Sequence, residues 1–155
     1  MRIITLTLAY TLVGILNASA QSSEHDAIKK TLHDETAAFY AANFEAWQSH
    51  WVHDEHVTAA LVGTTRSRHL RGWEAIAGRV AKAIKAAGKP TKADIVETNL
   101  NIRQEGNLAW VEYDEIVTTE GEKESSHEYR VLIKTGGAWK IVSQVHIDSE
   151  AFKQK

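Results

Sequence analysis

Residues 107–147 read NLAWVEYDEIVTTEGEKESSHEYRVLIKTGGAWKIVSQVHI, and the way this stretch breaks decides the fold. Glu120-Gly121 and Gly136-Gly137 interrupt three runs rich in β-branched and aromatic residues, 107–118, 124–134 and 138–147, which is the pattern of strands joined by tight turns. Glu105-Gly106 separates the first of these from a fourth run, 94–104. Four such runs with short connections predict an antiparallel meander.

A two-residue turn at Glu120-Gly121 sets Tyr113 opposite Glu128, Val111 opposite Arg130 and Glu115 opposite Ser126. One face then carries Tyr113, Glu115, Glu128 and Arg130. Carried through Gly136-Gly137, the same count opposes Arg130 to Ser143 and Glu128 to Val145, on the face of Leu132, Trp139 and Ile141. It sends His127, Gln144 and His146 to the other face, where His127 and His146 pair.

Upstream the period is helical. Gly72 precedes the stripe Trp73, Ile76, Val80, Ile84 and Ala87, which stops at Gly88 with Pro90 beyond it. Val57–Val62 reads as a strand. Phe44, Trp47 and Trp51 stand at i, i+3 and i+7, so a short aromatic-faced helix follows Asn43. Residues 24–42 read as a first helix, with Ser23 and Asp26 as its start signature and Ile28, Leu32 and Phe39 as its stripe. Helices gathered before a run of strands, in the order ααβαββββ, argue for the α+β class with the helices on one sheet face.

The chain begins with Arg2, the apolar run Ile3–Leu16 and then Ala18-Ser19-Ala20 before Gln21, the pattern of a cleavable export signal. The run is shorter than the ~20 apolar residues that span a bilayer. The expectation is a signal peptide over 1–20, a single domain over 21–155, and a periplasmic or secreted address. With 0 cysteines in 155 residues, thiol catalysis and thiolate metal ligation are excluded, and stability rests on packing to which five Trp, four Tyr and three Phe contribute. A net charge of −2 gives no sign of a nucleic-acid or anionic-membrane partner.

Several stretches resemble the nuclear transport factor 2-like superfamily, in particular its SnoaL-like members and the association domain of calcium/calmodulin-dependent kinase II. The resemblance covers roughly 24–148. It rests on the long first helix, Asn43-Phe44-Glu45-Ala46-Trp47, Arg71-Gly72-Trp73-Glu74-Ala75-Ile76, Ala109-Trp110-Val111-Glu112-Tyr113 and Gly137-Ala138-Trp139-Lys140-Ile141-Val142. It implies a cone-shaped α+β barrel whose curved antiparallel sheet wraps the first helix and leaves a pocket at its open end. It also implies a small organic ligand, a homodimer and no cofactor. Members include isomerases, cyclases, dehydratases and non-enzymatic binders, so fold alone assigns no activity. Two departures matter. Where relatives place histidines on the last strand this chain has Ser143 and Val145, and the tyrosine and two aspartates of ketosteroid isomerase relatives have no matching set.

The resemblance makes the face of Tyr113, Glu115, Glu128 and Arg130 concave. Arg130 stands where the kinase association domain has a pocket arginine, and Glu115 where it has another. Arg130 can hold a carboxylate in a fork, and Glu115 or Glu128 can accept protons or amines. Tyr40, Trp47 and Trp51 are further wall candidates. His50-Trp51-Val52-His53-Asp54-Glu55-His56 contains no metal-binding spacing such as HExxH, so no metal is expected. In related folds this segment lies at the pocket mouth, which makes His53 a candidate acid–base residue beside Glu115 and Glu128. Arg66, Arg68, His69 and Arg71 read as a solvated loop before the third helix. The expected function is an exported binder of a small organic molecule. The alternatives are a cofactor-independent isomerase or dehydratase using His or Glu as base, and a non-catalytic dimeric interaction module.

Overall fold

A computed structural model describes residues 7–152 of the backbone and side chains from Gln21 to Ala151. The expected signal, 1–20, lies outside the residues whose side chains are described. Helix α1 runs Thr7–Tyr40 and α2 Phe44–Ser49; strands β1 (Thr58–Val62) and β2 (Ser67–Arg71) follow, then α3 (Trp73–Ala87), β3 (Ala93–Glu105), β4 (Leu108–Thr119), β5 (Glu122–Thr135) and β6 (Ala138–Asp148). The six strands form one sheet in the order β2-β1-β6-β5-β4-β3. All neighbours are antiparallel except β1 and β6. The class is α+β, as the order of helical and strand periods implies.

Two elements differ from expectation. α1 does not start at Ser23, because neither Gly nor Pro lies between Ile15 and Tyr40 to break it. Residues 67–71 are not loop but β2, an edge strand paired only with β1. Its arginines Arg68 and Arg71 are exposed, and with one flank unpaired and charged the strand lacks an apolar alternation that a sequence count detects.

The ends of the helices follow local chemistry. Asn43 caps α2 by accepting from the amide of Ala46 at 3.0 Å. Gly88 closes α3 in the left-handed region at φ 75°, its amide donating to Ile84. At Glu120-Gly121 both φ angles are positive, 51° and 89°, the geometry that matches strand twist in a two-residue hairpin.

α1 lies against the concave face of the sheet. Ile28 and Leu32 are buried with Val111, Tyr113, Leu132 and Ile141 beneath them. Full burial of each such side chain stabilises by roughly 1.5–3 kcal/mol. Trp47 joins Phe44, Trp51 and Trp73 at ring separations of 5.6, 5.7 and 5.8 Å, an aromatic column that closes one end of the core. Glu24 accepts from the Trp139 indole at 2.9 Å and from Lys134 at 2.6 Å, tying the helix to the β5–β6 hairpin.

The β4–β5 register is the expected one: Tyr113 faces Glu128, Val111 faces Arg130 and Glu115 faces Ser126. β5 and β6 depart from it. Leu132 pairs with Ile141 but Val131 pairs with Ser143, so Val142 is an extra residue, a β-bulge. Beyond it Arg130 faces Gln144 and Glu128 faces His146, not Ser143 and Val145. A slip of one residue exchanges the faces of a strand, so Gln144 and His146 turn inward while His127 stays outside.

Candidate functional site

At the open end of the cone, α1, α3 and the sheet enclose a cavity of about 200 Å³. α1 contributes Glu35, Thr36, Phe39 and Tyr40; α3 contributes Ile76, Arg79, Val80 and Ala83; β1 and β2 supply Ala59, Leu61 and Leu70; the other strands supply Glu115, Glu128, Arg130, Gln144 and His146. A second, more polar cavity of about 360 Å³ shares Tyr40, Glu115 and His146 with the first and carries Glu124, Asp148 and Lys123.

The charged groups of the sheet wall are densely bonded. Glu128, 0 % exposed, receives Arg130 Nη1 on Oε2, and Ser126 Oγ at 2.8 Å and His146 Nδ1 at 2.6 Å on Oε1. With its amide oxygen turned inward, Gln144 accepts from Arg130 Nη1 at 3.1 Å and Nη2 at 3.3 Å. Glu35 accepts the indole N–H groups of Trp47 at 2.5 Å and Trp51 at 3.0 Å, with its other oxygen 4.0 Å from Arg130. Thr36 Oγ1 donates to Glu115 Oε2 at 3.0 Å, and Tyr40 donates to Glu124 at 3.3 Å.

These contacts set the proton affinities. Burial raises the Glu115 carboxyl, the Glu128 charge adds to it, and Arg130 and Thr36 only partly offset them, so Glu115 is pushed up to about 7. Burial also opposes ionisation of Glu128, but Arg130 and His146 outweigh it and hold Glu128 below the usual carboxylate range. For His146 burial favours the neutral ring, yet the hydrogen bond and charge of Glu128 win and raise it. An ionised carboxylate, a protonatable imidazole and a carboxyl poised near neutrality thus share one cavity.

Residues 28–146 match the model of the SnoaL-like domain. The chain belongs to the SnoaL-like domain family. Its fold is also that of a protein named provisionally as a nuclear transport factor 2-like dehydratase from Streptomyces avermitilis, at TM-score 0.66 and 14% identity over 83% of this chain and 97% of that one. A protein named provisionally as a scytalone dehydratase from Novosphingobium aromaticivorans gives 0.65 and 14%, over 85% and 88%. One named provisionally as a calcium/calmodulin-dependent kinase II association domain, from Thiobacillus denitrificans, gives 0.62 and 19%, over 77% and 93%. A search of curated proteins finds no match.

Of the residues expected at the site, Tyr40, Trp47, Glu115, Glu128 and Arg130 line the cavity of this SnoaL-like domain. Trp51 and Tyr113 do not. Trp51 is buried behind Trp47 by its bond to Glu35, and Tyr113 is 0 % exposed in the core, its hydroxyl raised well above its ordinary value by burial and its ring 5.9 Å from the Arg130 guanidinium carbon. His53 also lies elsewhere: it is exposed, stacked 3.9 Å from the Trp73 ring, with Nε2 2.8 Å from the Gln48 carbonyl. α2 ends before it at Ser49, and residues 53–56 are all exposed.

Five polar cavity residues, Glu35, Thr36, Arg79, Gln144 and His146, escaped the sequence reading. Gln144 and His146 arrive through the bulge. Glu35 and Arg79 had a visible signal, since each is a charged residue set into an apolar stripe: Glu35 between Leu32 and Phe39, Arg79 between Ile76 and Ala83.

Proposed function

We propose that this SnoaL-like domain is exported and binds a small organic molecule in its cone. The observation that carries the reading is the cavity itself, an apolar α3 wall facing a sheet wall on which Glu115, Glu128 and His146 converge. Mostly apolar enclosures with a few convergent polar groups are the usual form of a small-molecule site. Export rests on the signal pattern in 1–20. A homodimer through the outer sheet face is supported by the exposure there of Trp110 and of Leu108, at 38% and 51%. A thermal-shift screen of small organic compounds tests the binding: a ligand at a hundredfold its Kd stabilises by about 2.7 kcal/mol. A chain that no compound stabilises contradicts the proposal.

One observation favours catalysis as a second reading: Glu115 is held near 7 beside the His146–Glu128 pair. A carboxyl that exchanges its proton at neutral pH and an imidazole backed by a carboxylate are the parts of cofactor-independent proton transfer, as in isomerisation or dehydration. Glu115 would take the proton, and protonated His146 would donate one to the departing or developing oxygen. Turnover of a screening hit that is lost in both Glu115→Gln and His146→Asn, with binding retained, tests this reading. Binding without turnover leaves the first.

A further inference from the structure

Arg79 is the charged residue on the cavity wall that the sheet-side network does not engage. It lies on α3 in the row Ile76, Arg79, Val80 and Ala83, all on one helix face and all facing the cavity. Its Nε is buried and hydrogen-bonds to nothing among the described residues. A buried guanidinium N–H without a partner costs free energy comparable to a lost charged hydrogen bond, and an apolar side chain in this row would avoid that cost. The carboxylates of the cavity do not supply the partner: Glu128 is taken by Arg130 and His146, Glu35 by two indoles, and Glu115 by Thr36.

We infer that Arg79 is the anchor for an acidic group of the ligand, so that the cone takes a small organic acid with an apolar body. The inference rests on the proposed binding role of the cavity and adds the class of molecule. Arg130 also lines the cavity, but its terminal nitrogens are bonded to Glu128 and Gln144 and it is 2% exposed, so a carboxylate entering from solvent meets Arg79 instead. The α3 wall around Arg79 is apolar, which strengthens a charge-assisted bond made there and receives a hydrocarbon body.

The test compares 2-naphthoate with its neutral isostere 2-naphthamide by isothermal titration at low salt. The wild-type protein is expected to bind the acid about tenfold more tightly than the amide. Arg79→Met keeps an apolar stem of similar length; it should bring the acid-to-amide affinity ratio to within about twofold of one, and its melting temperature should be unchanged or higher. Arg79→Lys, which keeps the charge without the planar fork, should retain part of the preference. Equal binding of acid and amide by the wild type, or a preference that survives Arg79→Met, overturns the assignment of Arg79 while leaving the cavity a binding site. Binding of neither compound overturns this inference, and the cavity reading then stands or falls by the thermal-shift screen. Should Arg79→Met fail to fold, Arg79→Lys and the wild-type ratio still decide.

Discussion

Nδ1 of His146 stands 2.6 Å from Oε1 of Glu128, on strands that a single extra residue, Val142, brings into this register. The pair lies in the cavity and holds the imidazole in its charged form to higher pH than a free histidine. A group whose folded pKa is raised contributes stability that is complete below its unfolded pKa and declines as pH rises through the folded one. NMR titration of the His146 ring should therefore give a pKa above the ordinary histidine value. In Glu128→Gln, where burial remains but the charge is gone, it should fall below that value. A wild-type ring titrating at or below the ordinary value would sink the pairing.

Glu115 obeys the same linkage in a more acidic range. Its carboxyl is 6% exposed and pushed from 4.5 to about 7, so the folded chain binds the proton more tightly than the unfolded one. Stability falls as pH rises between these values and levels off above them. Glu115→Gln, whose amide oxygen can still accept from Thr36, should gain on the order of 1–3 kcal/mol over wild type at pH 8 and little at pH 4. Urea denaturation at the two pH values measures the difference, and equal gains at both would contradict it.

Arg130 is expected to be essential to the fold. Arg130→Ala strips the counter-charge from Glu128 and Glu35 in a buried setting and should destabilise by about 3–5 kcal/mol. Replacing Arg130 and Glu128 together with leucine should recover part of that loss, because Glu128 is then no longer a buried charge without its partner, while Glu35 keeps its two indole bonds but still lacks Arg130. A single mutant as stable as wild type in urea would show that the pair is not holding the sheet wall.

The hairpins were legible because their turns are short. Glu120-Gly121 fixes one register, and the pairs across β4 and β5 follow from counting. Past Gly136-Gly137 counting failed because the apolar residues keep their parity through the bulge: Trp139 and Ile141 point into the core, while Val145 and Ile147 point to the outer face. A strand with apolar residues on both faces gives no sign of a one-residue slip. β2 was illegible for a related reason, since an edge strand with Ser67, Arg68, His69 and Arg71 exposed turns only Leu70 inward, too little for an alternation to show. His53 failed as a cavity residue because its placement depends on where α2 ends, which propensity fixes poorly.

The export reading predicts a processed chain. N-terminal sequencing of protein recovered from the periplasm or medium should begin at Gln21. A chain started there keeps the bonds of Glu24 to Trp139 and Lys134, so its melting temperature should be close to that of the full chain. Recovery of full-length protein in the cytoplasm alone would contradict the reading.

The central claim is that the cone cavity is where a small molecule binds. Ala83 lines it from α3 and is half-buried, so Ala83→Trp fills the space from its rim with little change to the core beneath. A thermal-shift screen run in parallel on wild type and Ala83→Trp addresses the claim most directly. Compounds that raise the melting temperature of the wild type should leave the filled variant unmoved. The same shifts in both proteins would place the binding site elsewhere and contradict the account.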